Sequence, residues 1–412
     1  MTNSLKTSIA YVTKRDKITI LCLLGPLFLK YLLPGSMEEI LKFDFGGAVF
    51  FLPYFLLFVF INRGHKTKNN SALKKILGVQ FIFSIISWIL GDYENGQYFA
   101  YFENLSSYFI CYYIATHYQF TLSQLFFLRR IVSIVFLLVS VELILVNLGL
   151  VSFGVQQADT EVVGGVSRYT TTMGDTNNGG VAFFMFGMLA VYLNKYRKLQ
   201  ILYLFLWVVG CFLTVTKSVC LAVVFVGIAY YCKMLIDKKT KILTKLKYTL
   251  AIFVSFFALY EAGVFNPIIE RVSMQYATKD LESGRGELRE DVLKKISGKS
   301  FYIGHGSGCV YPIEEIGYQK QYSTPYRGAP HNSYVIQFAE GGIIGLSLMF
   351  LFWLVILVKN RKRNMWLMLS ILSMIGIFFN TETVSMVYTE NQLILAILLM
   401  LLINPAYEKN LI

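Results

Sequence analysis

Charge is scarce in this chain. Only 15% of its 412 residues are Asp, Glu, Lys or Arg, whereas 55% are hydrophobic and 16% aromatic. A water-exposed fold carries roughly 25% charged residues. The composition therefore excludes an ordinary soluble domain and, with a mean hydropathy of +0.54, implies an integral membrane protein. Paired cysteines are missing too. Cys22, Cys111, Cys211, Cys220 and Cys232 fall in or beside apolar runs and leave Cys309 alone in a long polar segment, so neither a loop disulfide nor a Cys-x-x-Cys zinc site is expected. The sequence also lacks a Walker phosphate loop, a dinucleotide fingerprint, an HExxH zinc motif and an internal repeat. No cleavable signal peptide is expected, because the polar start 1–17 leads into a run without a small-residue cleavage site.

What the chain has in abundance is apolar runs. They occur at 18–34, 45–61, 76–91, 104–119, 131–149, 179–194, 200–215, 219–232, 247–264, 342–358, 365–380 and 391–405. Since a helix crosses the hydrocarbon with about 20 mainly apolar residues, these runs predict an all-α polytopic membrane protein with about 12 transmembrane helices. Lys and Arg concentrate in alternate connections, 25 of the 38, and the positive-inside rule makes those connections and both termini cytoplasmic. The formal charge of +13 is thus an orientation signal, and no nucleic-acid partner is expected. The expected divisions are 1–264 with the first nine helices, a large outward loop at 265–341, and 342–412 with the last three. Connections usually run to about 4–6 residues, and one as long as 265–341 is functional or disordered. Its aromatics, helical stretch and glycine turns point to function.

The loop carries three segments with chemical potential. From Glu282 to Ile296 the sequence reads as a helix, with Ser283 as N-cap, acidic residues early, lysines late, and Leu288, Val292 and Ile296 at spacing four. Arg285 and Arg289 share one face of it. Two guanidiniums there can clamp an anion such as a diphosphate, or they can pair with Glu282, Glu287 or Glu290 on a solvated helix. Gly304-His305-Gly306-Ser307-Gly308 permits close backbone approach but lacks the strand–helix context of a phosphate loop. His305 within it reads either as a plain loop residue or as a substrate contact.

Pro330-His331-Asn332-Ser333-Tyr334 marks a helix start, and Gly341-Gly342 is expected to end or kink that helix before the tenth span. His331 is expected in the first turn. A helix N-terminus disfavours the imidazolium, so this imidazole can serve as a general base. It can equally be a capping or tyrosine-bonded structural histidine. Before the sixth span come Arg168, Asp175, Asn177 and Asn178. Lys217 is expected in the tight outward turn between the seventh and eighth spans, and Glu142 lies inside the fifth. Charges at such depths are functional candidates by default; the alternatives are a Lys217 that snorkels to lipid phosphates and a neutral, hydrogen-bonded Glu142.

Taken in order, Ser283-Gly284-Arg285, Gly304-x-Gly306-x-Gly308, His331-Asn332-Ser333-Tyr334 and Glu340-Gly341-Gly342-Ile343-Ile344-Gly345 resemble the bacterial O-antigen ligase and polymerase superfamily. That superfamily comprises Wzy-type O-antigen polymerases and the lipopolysaccharide O-antigen ligase. The resemblance covers roughly residues 160–380. It implies a GT-C-like fold in the bacterial inner membrane that transfers glycan from an undecaprenyl diphosphate carrier to a hydroxyl acceptor at the periplasmic face. No nucleotide sugar, metal or other cofactor is implied.

By the same resemblance His331 matches the essential loop histidine and Arg285 the loop arginine. Lys217-Ser218 falls where many members have a Ser-Arg pair, and lysine supplies charge without a bidentate fork. The implied roles are His331 as base, with Arg285, Arg289, Lys217 and Arg168 around the diphosphate. Asp175, Asn178, Asn332, Tyr334, Glu340 and His305 are implied as glycan-binding or supporting residues, and Tyr311, Tyr318, Tyr322 and Tyr326 as candidates to stack on sugar rings. Polymerase is the favoured expectation, because the first half is divergent and Lys217 departs from arginine. Ligase is the alternative, with a transporter of lipid-linked glycan a further one. A chain-length co-polymerase is an implied partner.

Overall fold

The computed structural model describes residues 12–32, 48–64, 71–91, 109–150, 177–195, 198–237, 241–277, 285–306, 309, 330–381 and 389–403. Its helices are α1 (Lys14–Leu32), α2 (Ala48–Ile61), α3 (Ser71–Leu90), α4 (109–117), α5 (Leu122–Asn147), α6 (Asn178–Leu193), α7 (Gln200–Leu213), α8 (Lys217–Ile236) and α9 (Ile242–Glu261). They continue with α10 (Asn266–Ala277), α11 (Arg285–Lys295), α12 (Lys299–Ile303), α13 (Ser333–Asn360), α14 (Met365–Ser373) and α15 (Thr389–Ile403). Between α14 and α15 come a π turn (Met374–Phe378) and a last helical turn (Phe379–Thr381). Among the described residues there is no strand.

Local chemistry sets the helix starts. At α5, the Thr121 hydroxyl accepts from the Gln124 N–H at 3.2 Å while the Gln124 side chain accepts from the Thr121 N–H at 3.0 Å, a reciprocal capping box. Asn364 caps α14 in the simpler way, its side-chain oxygen accepting from the Trp366 N–H at 2.9 Å.

Burial then sorts the helices into layers. Gly179 to Leu193 of α6 is buried throughout, as is Asn391 to Ile403 of α15. Both are predominantly apolar around the whole helix, the signature of an interior position. Around α6 pack α5, α7, α8, α14 and α15. Two indoles lock onto it: Trp207 donates to the Phe184 carbonyl at 3.0 Å and Trp366 to the Met188 carbonyl at 2.8 Å. By contrast α9 turns large apolar side chains outward, with Phe253 75% and Phe257 62% exposed. Water does not tolerate apolar surface on that scale, and hydrocarbon does. Ser71–Leu90, Leu122–Asn147, Lys217–Ile236 and Ser333–Asn360 are long and apolar enough to cross a membrane by length and composition. The chain is an all-helical protein of the multi-pass membrane type.

One end of this bundle is covered by α10, α11 and α12. The helix expected over 282–296 is α11, Arg285–Lys295, and Ser283 lies outside the described residues. The spacing of its apolar residues is used as expected: Val292 and Ile296 join Cys309, Ile336 and Ala339 in a small second core that holds the layer onto α13. The kink expected at Gly341-Gly342 is at Gly342, φ 58° and ψ −165°, and α13 continues on both sides of it.

Candidate functional site

The site is built where α13 begins. Asn332 is the N-cap, its side-chain oxygen accepting from the Tyr334 and Val335 N–H groups at 3.0 Å each. The same side chain donates through Nδ2 to the Asn380 carbonyl at 3.0 Å. One residue later along that chain, the Thr381 carbonyl accepts from Arg285 Nη1 at 2.8 Å. Neighbouring carbonyls therefore bring the α13 start and the α11 start together. Tyr334 adds a third hold, its hydroxyl donating to the Ile375 carbonyl in the π turn at 2.6 Å while its ring stacks on Phe350 at 5.0 Å. A cation against the last carbonyls of a helix also complements the helix dipole.

His331 departs from its expected position. It precedes the N-cap rather than lying in the first helical turn, and its backbone is left-handed at φ 45°. A non-glycine residue in this region costs free energy and persists only where its surroundings over-determine it. Here Asn332 on one side is tied both to the helix and to Asn380, and Pro330 on the other is buried with φ held by its ring. His331 is half-buried beside the Asn332 anchor, with the N–H groups of the helix start just beyond it.

The glycine motifs turn out to be two faces of one joint. Gly304 has φ 73°, and a Cβ there would lie 2.3 Å from the Glu340 carbonyl carbon. Gly342 has φ 58°, and a Cβ there would lie 2.3 Å from the Tyr302 carbonyl carbon. Two backbones touch, with the His305 N–H donating to the Ala339 carbonyl at 2.7 Å and the Gly306 N–H to the Glu340 carbonyl at 2.9 Å. Ser87 of α3 places its hydroxyl 2.5 Å from the Ile303 carbonyl and 2.7 Å from the Glu340 carbonyl. Close backbone approach is legible in the Gly-x-Gly-x-Gly pattern; what approaches is the α13 kink. Glu340, 3% exposed, belongs to this joint through its carbonyl, and His305 through its N–H.

Lys217 is also displaced from its expected place. The turn is Thr214–Thr216, and Lys217 is the first residue of α8 with Thr216 as N-cap. Asn178 opens α6, and Gly180 follows so closely packed that a Cβ would lie 2.9 Å from the Thr216 hydroxyl. The α6 and α8 starts thus meet. Helix α8 packs against α14 and the π turn, and Tyr230 meets Trp366 at 5.9 Å at the far end. Lys217 consequently lies toward the same end of the bundle as Thr381. Arg289 follows Arg285 by one turn of α11, where Glu290 is bound by Lys294 at 3.0 Å and Asp291 by Lys295 at 2.9 Å. Arg168 and Asp175 lie outside the described residues, as do Tyr311, Tyr318, Tyr322 and Tyr326.

Two parts of the site escaped sequence reasoning. One is Arg271 of α10, only 6% exposed, whose Nη1 donates to the Val215 carbonyl at 2.5 Å. Its only sequence signal is a cation beside Glu270, flanked by Ile268, Ile269 and Val272. The other is the 375–381 segment, which acts through backbone carbonyls and so leaves no side-chain pattern to read.

Residues 202–350 match the family model of the O-antigen ligase. The matched span contains Lys217, Arg285, Arg289, His305, His331, Asn332, Tyr334 and Glu340, and it joins the α8 start to the α13 start. It supports the O-antigen ligase and polymerase superfamily and a glycosyltransferase-like role in polysaccharide assembly, without separating ligase from polymerase. The family implies a lipid-linked oligosaccharide as substrate. No curated protein matches the chain.

Proposed function

We propose that the chain is a polysaccharide polymerase of the inner membrane. It transfers glycan from an undecaprenyl diphosphate carrier to a hydroxyl of another lipid-linked repeat unit at the periplasmic face. The observation that carries this reading is the pairing of Arg285 with the His331–Asn332 segment on the adjacent carbonyls of Thr381 and Asn380. A cation for the leaving group and a base for the acceptor need to be neighbours, and the anchoring of Arg285 and of Asn332, next to His331 in the chain, on adjacent carbonyls supports that reading.

In the reaction, His331 takes the proton of the acceptor hydroxyl as its oxygen bonds to the anomeric carbon. The bond from that carbon to the diphosphate oxygen breaks, and the carrier diphosphate leaves with the electron pair. Negative charge grows on the leaving group, so fixed cations lower the barrier. Arg285 brings a guanidinium whose fork of N–H groups suits a diphosphate, with Nη1 steadied on the Thr381 carbonyl. Arg289, Lys217 and Arg168 complete the cationic set, and Asp175, Asn178, Asn332 and Tyr334 support glycan or base. Direct displacement inverts the anomeric configuration. The topology that goes with this reading has about 12 spans, both termini in the cytoplasm and α10 to α12 outside.

The alternative is ligation to the lipid A core, favoured by the description of the matched family. Cells carrying His331→Ala decide between them by their polysaccharide ladders. Loss of long chains with one repeat unit still on the core supports polymerase, and loss of all core-attached repeat units indicates ligase. An unchanged ladder removes His331 from the reaction.

A further inference from the structure

A buried arginine grips the turn that precedes Lys217. Arg271 reaches the α7–α8 turn from α10, 56 residues along the chain, and donates through Nη1 to the Val215 carbonyl at 2.5 Å. The turn it grips is strained. Val215 has φ 52°, and a β-branched side chain in the left-handed region is a genuine outlier. The strain has a geometric use, since a left-handed residue lets the chain reverse between Leu213 and Lys217 and starts α8 against the first turn of α6. Other bonds define the turn on both sides of Val215: the Thr214 hydroxyl donates to the Cys211 carbonyl at 2.8 Å, and the Cys220 N–H to the Thr216 carbonyl at 3.0 Å.

Helix α10 is well placed to deliver the guanidinium. Phe265, at its start, is buried edge-on against Phe212 of α7 at 4.7 Å and stacked on Phe256 of α9 at 5.0 Å. That aromatic anchor fixes the helix across the bundle end, and the arginine follows within two turns. Burying a guanidinium is costly unless its donors are used, and here it meets a carbonyl whose direction depends on the left-handed conformation of Val215.

We propose that Arg271 is a positioning residue: it holds the left-handed Val215 turn so that Lys217 is presented at the site to the diphosphate of a polyprenyl-linked substrate. The substrate part of this proposal rests on the transferase reading above. The positioning part makes a claim of its own about the α8 start.

Both parts are tested on the purified full-length protein in nanodiscs, with undecaprenyl diphosphate as the probe for binding and hydrogen exchange over 213–221 as the probe for the turn. Arg271→Gln is expected to speed exchange and to weaken binding by about tenfold, in line with the loss of one coupled contact. Arg271→Lys is expected to keep part of both. Adding Val215→Gly to Arg271→Gln is expected to recover much of the binding, because glycine adopts this φ without strain. Adding Lys217→Ala to Arg271→Gln is expected to cost little beyond Lys217→Ala alone. Thermal unfolding shows which variants are folded.

Unchanged exchange in Arg271→Gln overturns the positioning claim. So do losses that simply add to those of Lys217→Ala, or a folded Arg271→Gln variant that Val215→Gly leaves unrecovered. If the wild-type protein itself does not bind undecaprenyl diphosphate, the transferase reading fails, while the exchange measurements still decide whether Arg271 holds the turn.

Discussion

Gly304 and Gly342 face each other across the joint between the outer layer and α13, each in left-handed backbone and each touching the other's segment. Alanine at Gly304 would meet two penalties at once, a left-handed φ and a Cβ 2.3 Å from the Glu340 carbonyl. Neither can be relieved by rotating a side chain, since the obstacle is backbone. Gly304→Ala is expected to destabilise the protein by about 2–4 kcal/mol, in the range of strain plus overpacking. Gly376→Ala is the contrast, because a Cβ there meets nothing within 4 Å. It is expected to change stability by no more than about 0.5 kcal/mol. Thermal unfolding of both in the same detergent tests the difference, and equal loss would sink the account of the joint.

At the scale of elements, the π turn at Met374–Phe378 and the turn after it position their neighbours through backbone carbonyls. Its wide turn offers the Ile375 carbonyl to Tyr334 and sets the rotation of the last turn, whose Asn380 and Thr381 carbonyls hold Asn332 and Arg285. π turns are uncommon and gather at functional sites. Deleting Gly376 would return this stretch to α geometry and swing the following residues by about 100°. Both carbonyls then leave their partners. Transfer activity is expected to fall to background while helix content and expression stay near wild type. Retained activity would show that the carbonyls do not position the pair. Tyr334→Phe is the milder test, losing one hydrogen bond worth about 1 kcal/mol with the ring packing kept.

Across the whole molecule, the joint between the outer layer and α13 is also tied to α3 by polar contacts. Ser87 of α3 touches both the Ile303 and Glu340 carbonyls, and Lys299 donates to the Leu90 carbonyl at 2.5 Å. The second core beneath α11 is small, with Val292, Ile296, Cys309, Ile336 and Ala339 as its buried members. Ser87→Ala takes away a hydroxyl held between two carbonyls, of which that of Glu340 keeps the Gly306 N–H, a loss of roughly 1 kcal/mol. Faster hydrogen exchange over 299–306, with unchanged exchange in α6, is the expected result. Uniform exchange would mean that Ser87 does not fasten the layer.

The apolar runs determined the helices because burial of hydrophobic surface is recorded in composition, residue by residue. Hence α6 and α8 lie where the runs place them, α13 extends its run back to the start marked by Pro330 to Tyr334, and α11 buries Val292 and Ile296 at the expected spacing. Charge at membrane depth is costly, so Lys217 stands out, and Arg285 and His331 stand out by their places on the helix starts of the outward loop. What tertiary structure alone decided is how these residues are held. The left-handed backbone of His331 and Val215 and the carbonyls of Ile375, Asn380 and Thr381 have no side-chain signature. Nor does the reach of Arg271 across 56 residues to a turn. Backbone groups are the same in every residue, and only the packing of distant helices determines which of them point at the site.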